Sequence, residues 1–286
     1  ELSKTPDLVQ ALKTIEGMYP SVKDFEREFP SLCFALATGV GKTRLMGAFI
    51  AYFYLTGRSH NFFVLAPNLT IYDKLISDFS PQSPKYVFKG IAEFATNQPV
   101  IITGDNYESG IGVRGRDLLG HDDTPYINIF NISKINATEN KPGAAKSKTP
   151  KIKRLQEYIG ESYFEYLSNL PDLVLLMDEA HRYRATAGAT AINELKPLIG
   201  LELTATPKSI GARSTDFKNI IYDYPLAQAM IDGYVKDPAV ATRKNFNADQ
   251  YKNAPEQLER IKLEDGIHHH EHVKVELDVY ARQYAK

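Results

Sequence analysis

"LATGVGKTRL" spans Leu36–Leu45, and the fold is decided by what this stretch joins. It follows a short apolar run, "SLCFALA" (31–37), and leads into "GKTRLMGAFIAYFYL" (41–55), a segment that predicts a helix. A strand, a glycine-bearing turn and a helix, in that order, make a cradle for a polyphosphate. Gly39 and Gly41 allow backbone conformations and close approaches that a side chain blocks. Amide groups at the start of the helix point at the anion, and the helix dipole favours its negative charge. Thr38, Gly39, Val40, Gly41, Lys42, Thr43 and Arg44 are therefore the candidate nucleotide-contacting residues. Lys42 supplies a point charge to the β- and γ-phosphates, and the Thr43 hydroxyl is a candidate ligand for Mg²⁺. The full pattern G-x-x-x-x-G-K-[ST] requires glycine at position 36, where leucine stands, so only the short form "TGVGKT" is present.

Further apolar runs follow at intervals: "FFVLAP" (62–67), "VIIT" (100–103), "YINIFN" (126–131), "LVLLMD" (173–178) and "IGLELTA" (199–205). Runs of this length suit strands buried on both faces, as in a parallel sheet covered by helices. Helical candidates lie between them, including "LTIYDKLISDF" (69–79) and "KRLQEYIGESYFEYL" (153–167). Strand and helix alternate, which predicts a doubly wound α/β fold with a mostly parallel sheet. After Tyr224 the pattern changes. "PLAQAMIDGYV" (225–235) reads as a short helix ended by Gly233, and 236–265 as polar and irregular. In "HVKVELDVYARQYAK", Val273, Leu277, Tyr280 and Tyr284 share one face of an amphipathic helix.

A second chemical site sits in "LVLLMDEAHRY". Asp178 and Glu179 stand at the carboxyl end of a buried strand, where ligands bind in a doubly wound sheet. Asp178 is a candidate Mg²⁺ ligand, partly through water, because that ion keeps some of its hydration shell. Glu179 is placed to orient or deprotonate an attacking water. His181 reads either as a bridge toward other motifs or as a satisfied helix-cap or core histidine. Lys42, Asp178, Glu179 and His181 are thus the candidate catalytic residues. Twenty-six residues beyond Asp178, "LTATP" again ends a strand. There Thr204, Ala205 and Thr206 are candidates to relay the state of the γ-phosphate by hydrogen bonds, with a plain turn as the alternative.

"ATGVGKTRLMGAFIAYFY", "FFVLAPNLTIYDKL", "LLMDEAHRYRA" and "LKPLIGLELTATP", in that order, resemble the first RecA-like motor domain of superfamily 2 helicases and translocases. Within that superfamily they are most similar to the restriction (Res) subunit of type III restriction enzymes. The resemblance continues through "YPLAQAMIDGYVKDPAV" and "IKLEDGIHHHEHVKVELDVYARQ" and so covers nearly the whole chain. It implies a RecA-like P-loop NTPase that uses ATP and Mg²⁺, acts on duplex DNA in preference to RNA, with an RNA helicase of the same superfamily as the alternative, and partners a DNA methyltransferase subunit. It also implies DNA-backbone contacts at Ala66, Pro67 and Asn68, with Ser133 and Lys134 in "NISKIN" as further candidates, and Gln10 as candidate for the adenine contact. The superfamily's second RecA-like domain supplies an arginine through a Q-x-x-G-R-x-x-R type motif. The 79 residues after Pro207 contain no such string, nor a nuclease signature, so the chain is expected to be a piece of a larger protein. The expected organisation is a helical lead-in (1–30), a nucleotide-binding domain (31–235) and a linker with a helix (236–286).

The remaining features bound the function more loosely. Of 286 residues, 43% are hydrophobic and 24% charged, with a formal net charge of −1, so any basic surface for nucleic acid is local. From Lys141 to Arg154 the chain carries six basic residues and no acidic one. The loop 136–154 reads as a solvated surface loop or as an arm contacting phosphates. "HHHEH" (268–272) places His268 and His272 at i, i+4, either a polar helix segment or a Zn²⁺ pair. The single cysteine, Cys33, excludes an internal disulfide framework, and no apolar run is long enough to span a bilayer. A cytoplasmic, membrane-free protein is expected.

Overall fold

The structure is a computed structural model and describes residues 7–114, 123–132, 152, 161–184, 186–209, 215–236, 243–244 and 246–284. Residues 7–236 belong to one compact unit and the later residues to a second.

The first unit is built on seven strands: β1 (Ser31–Leu36), β2 (Asn61–Ala66), β3 (Val100–Thr103), β4 (Tyr126–Asn131), β5 (Leu173–Asp178), β6 (Ile199–Thr204) and β7 (Ile220–Tyr224). They form one sheet in the order β3-β4-β2-β5-β6-β1-β7, with every pairing parallel. All six residues of β2, β4, β5 and β6 are buried. The reason is visible along β5: Val174 and Leu176 enter one apolar core, while Leu173, Leu175 and Met177 enter another on the opposite face. Burial on both sides removes any need for polar alternation, which is why the strands read as unbroken apolar runs. Each such side chain contributes about 1.5–3 kcal/mol on burial.

Three helices close the face that holds Val174 and Leu176. α1 (Leu8–Met18) is capped by Asp7, whose carboxylate accepts from the Val9 amide at 2.8 Å, and buries Ala11 and Ile15. α2 (Lys42–Leu55) buries Met46, Gly47, Ile50, Ala51 and Tyr54. Gly47 is needed for space, since a Cβ there would stand 3.1 Å from Val87 Cγ2. α3 (Leu69–Phe79) is capped by Asn68, whose Oδ1 accepts from the Ile71 amide at 2.9 Å, and buries Tyr72, Leu75 and Phe79.

The doubly wound parallel architecture expected from the sequence is present, and its six expected strands lie within a residue of their expected bounds. Three details differ. β7 was not expected; it is a half-exposed edge strand, Ile220–Tyr224, so it lacks the continuous apolar run of the others. The helix expected over 153–167 does not include Glu161 and Ser162, and residues 153–160 lie outside the described residues. Ser162 instead caps a helix at Tyr163–Ser168, accepting from the Glu165 amide at 3.1 Å, the position a serine hydroxyl favours. In the second unit, 236–265 is not irregular throughout: a helix runs over Pro255–Tyr284. "PEQLERIKLED" is rich in strong helix formers with proline at the first position, but it has no apolar face to reveal it. None of that helix's side chains is buried. Arg243 holds Asp265 through two bonds of 2.7 and 2.6 Å within this unit.

Candidate nucleotide site

Sheet register brings the three sequence motifs together. β6 lies between β5 and β1, with Asp178 opposite Leu203 and Ala35 opposite Thr204. The glycine loop after β1, the carboxylates after β5 and the threonine turn after β6 therefore share one edge of the sheet, at the carboxyl ends of adjacent strands.

The loop owes its shape to its glycines. Gly39 and Gly41 adopt φ of 89° and 100°, a region that costs other L-residues about 1–2 kcal/mol. The requirement is conformational rather than spatial, since an added Cβ would meet nothing nearer than 3.8 Å at Gly39 or 4.0 Å at Gly41. Gly41 provides no side-chain cap to α2, so the first amides of that helix are left for another acceptor. Val40 packs against the core, whereas Thr38 and Arg44 are exposed.

Lys42 Nζ lies 3.0 Å from Glu179 Oε1, in a pair that is mostly buried, 11% and 22% exposed. Glu179 itself is held at φ 50°, ψ 51°, a left-handed conformation that is unfavourable for a glutamate and is typical of functional positions. Its amide donates to Asp178 Oδ1 at 3.1 Å. Asp178 is buried, and burial raises its pKa, as does the neighbouring Glu179 charge; Lys42, the Glu179 amide and Lys74 oppose the rise. A buried carboxylate surrounded by this much unmet charge favours a cation beside it.

His181 lies in a 3-10 turn, Ala180–Tyr183, just after the carboxylates. Its Nδ1 is 2.8 Å from Thr204 Oγ1, 3.2 Å from Thr206 Oγ1 and 3.5 Å from Glu179 Oε2. Burial lowers the histidine pKa, with Glu179 pulling the other way, and the net effect favours the neutral ring. Thr204 Oγ1 also accepts from the Thr206 amide at 3.1 Å, which fixes the turn. Ala205, between the two threonines, is half-buried. A single chain of contacts thus runs from Lys42 through Glu179 and His181 to Thr204 and Thr206.

The other candidates are less engaged. Pro67 and Asn68 follow β2, next to β5, with Asn68 exposed and its side-chain oxygen committed to capping α3. Gln10 is exposed on α1. Ser133, Lys134 and the basic loop 136–154, apart from Ile152, lie outside the described residues. Among the described residues no cluster of histidine, cysteine or carboxylates is arranged to hold a metal ion, the 268–272 histidines included. His272 pairs instead with Glu276 at 3.2 Å.

Three residues absent from the sequence reading enter the site or brace it. Lys74 Nζ donates to Thr43 Oγ1 at 3.1 Å and lies 3.7 Å from Asp78 Oδ2. Arg184, three residues past His181, donates to Glu202 Oε2 at 2.6 Å and to Glu26 Oε2 at 2.7 Å, and stacks 3.7 Å over the Phe217 ring. Glu202, fully buried in β6, also accepts from Arg27 at 3.1 Å and Ser31 at 2.9 Å. These bonds tie the segment after the carboxylates to the strand that ends in Thr204. The available signal was the lone glutamate inside "IGLELTA", since a buried carboxylate demands cationic partners.

A parallel sheet that gathers a glycine loop, paired carboxylates and a threonine turn at adjacent strand ends defines an α/β domain of the RecA-like helicase type. The family described as type III restriction enzyme, res subunit, matches residues 7–209, and the chain belongs to that family. Two solved structures are similar over larger or smaller parts. One is the Sulfolobus solfataricus SWI2/SNF2 ATPase core in complex with dsDNA, at 16% identity over 62% of this chain and 28% of that one, with a TM-score of 0.34. The other is a nuclease-deletion mutant of the Type ISP restriction-modification enzyme LlaGI in complex with a DNA substrate mimic, at 16% identity over 91% of this chain and 22% of that one, with a TM-score of 0.44. The aligned part is about a quarter of each of those chains. No curated protein sequence matches significantly. No helix among the described residues is long and apolar enough to cross a membrane.

Proposed function

We propose that the chain binds ATP with Mg²⁺ and serves as the motor domain of a type III restriction enzyme Res subunit, coupling hydrolysis to movement on duplex DNA. The observation that carries this reading is the contact chain from Lys42 to Thr206 across three strand ends. The residues fit the cofactor. Thr43 and Asp178 offer hard oxygen ligands suited to Mg²⁺, and the buried Asp178 carboxylate calls for a cation. Bound Mg²⁺ would shield the phosphate charge and stabilise the leaving group.

The chain's own residues divide the work. The loop from Thr38 to Thr43 and the first amides of α2 hold the phosphates. Lys42 leaves Glu179 for the β- and γ-phosphates, and that release frees the Glu179 carboxylate to orient and deprotonate water. Neutral His181 links Glu179 to Thr204 and Thr206, so a change at the γ-phosphate reaches the turn that follows β6. Pro67 and Asn68, with Ser133 and Lys134, are the proposed contacts to the DNA backbone. In the intact system we assign cleavage to a separate nuclease domain and sequence recognition to a methyltransferase partner.

A second reading concerns residues 1–286 alone: a nucleotide-gated DNA-binding module with little turnover. It is supported by the absence of an arginine-finger string in the 79 residues after Pro207. Such a group is worth roughly 10³–10⁵ in rate in related phosphoryl-transfer sites. The test compares ATP binding and DNA-stimulated hydrolysis by this chain and by one extended by about 200 residues, roughly one more domain. Binding by both, with turnover restored only in the longer chain, supports the two readings together. Robust DNA-stimulated hydrolysis by 1–286 removes the module reading, and failure of both chains to bind ATP removes both.

A further inference from the structure

Lys74 sits on α3 with its side chain 59% exposed, the profile of an ordinary surface lysine. Its ammonium is nevertheless directed at the nucleotide site. It donates to Thr43 Oγ1 at 3.1 Å. Asp78, one helical turn on and itself buried, lies 3.7 Å from the same ammonium. Thr43 and Asp178 are the two side chains assigned above to magnesium. A divalent ion on Thr43 Oγ1 and an ammonium at hydrogen-bonding distance from the same atom repel strongly, so the two cations exclude one another.

We propose that Lys74 is a resident cation that fills the magnesium position when the metal is absent and yields it when metal-bound nucleotide arrives. The proposal rests on the ATP–Mg²⁺ reading of the site. It gives metal-free nucleotide a positive charge near its outer phosphates. It also makes α3, which begins at the proposed DNA contact Asn68, sensitive to whether the metal is loaded.

The experiment titrates a fluorescent ATP analogue into wild type and Lys74→Ala, once in EDTA and once in excess Mg²⁺. Lys74→Ala is expected to lose about tenfold in affinity in EDTA and to stay within about twofold of wild type with Mg²⁺. Lys74→Arg should recover most of the EDTA affinity, because it restores the charge. Hydrogen exchange across residues 69–79 should differ between the EDTA and Mg²⁺ complexes of wild type and not between those of Lys74→Ala. Equal affinities of wild type and Lys74→Ala in EDTA overturn the proposal, as does an equal loss under both conditions, which would mark Lys74 as a general phosphate ligand. If wild type binds the analogue under neither condition, the ATP reading itself fails, and this proposal with it.

Discussion

Glu179 carries two constraints at once: a left-handed backbone and an ion pair with Lys42. The pair is mostly buried, so Lys42 gives up Glu179 only where the phosphates supply negative charge in its place. In the proposed mechanism the two partners then separate in function, and substitution separates them experimentally. Lys42→Ala should weaken ATP binding at least tenfold, about 1.5–3 kcal/mol for charged hydrogen bonds, measured by equilibrium titration. Glu179→Gln should leave binding intact or slightly tighter, since Lys42 loses its competitor. In a chain with full activity it should lower turnover by roughly 10²–10⁴, and unchanged turnover would remove Glu179 from the water step. These two residues were legible because their neighbours in sequence spell motifs. Lys74 was not, because "DKLISD" reads as an ordinary solvated helix face until α3 is laid against α2.

At the scale of elements, the segment after Asp178 is braced by Arg184, which joins β6 through Glu202 and the N-terminal region through Glu26. Glu202 is fully buried, so removing Arg184 leaves its charge to Arg27 and Ser31 alone, a loss of about 1.5–3 kcal/mol for the charged hydrogen bond. Arg184→Ala should therefore lower the thermal midpoint by on the order of 3–12 °C for a unit of this size. Scanning calorimetry would show it, and a change within a degree or two would mean that Arg27 and Ser31 satisfy Glu202 alone. The strands that were legible are those buried on both faces. β7 escaped because its burial is partial and Asp223 interrupts it. The helix Pro255–Tyr284 escaped for the opposite reason, since it buries nothing and its first turns show no apolar stripe. The pairing of Arg184 with Glu202 was illegible because no sequence period links positions on different elements.

For the molecule as a whole, the decisive fact is that β1 lies between β6 and β7. The strand that launches the glycine loop has no neighbour from the nearby sequence. It pairs with Ile199–Thr204 on one side and Ile220–Tyr224 on the other. A chain ending at residue 198 keeps the whole loop and both carboxylates, yet should neither fold cooperatively nor bind ATP, as circular dichroism and nucleotide titration would show. A chain of residues 7–236 should do both; ATP binding by the shorter one would contradict the dependence of the loop on its flanking strands. Such distant pairings also slow folding, because long loops must close before contacts reward them. During synthesis at about 5–20 residues per second, the loop leaves the ribosome roughly 10–40 s before β7 does. Until Ile199–Thr204 emerge, β1 has neither of its strand partners, and until Ile220–Tyr224 emerge it has only one, so the nascent loop gains nothing from cellular ATP as a ligand. The nucleotide can stabilise the finished domain, but it arrives too late to help build it.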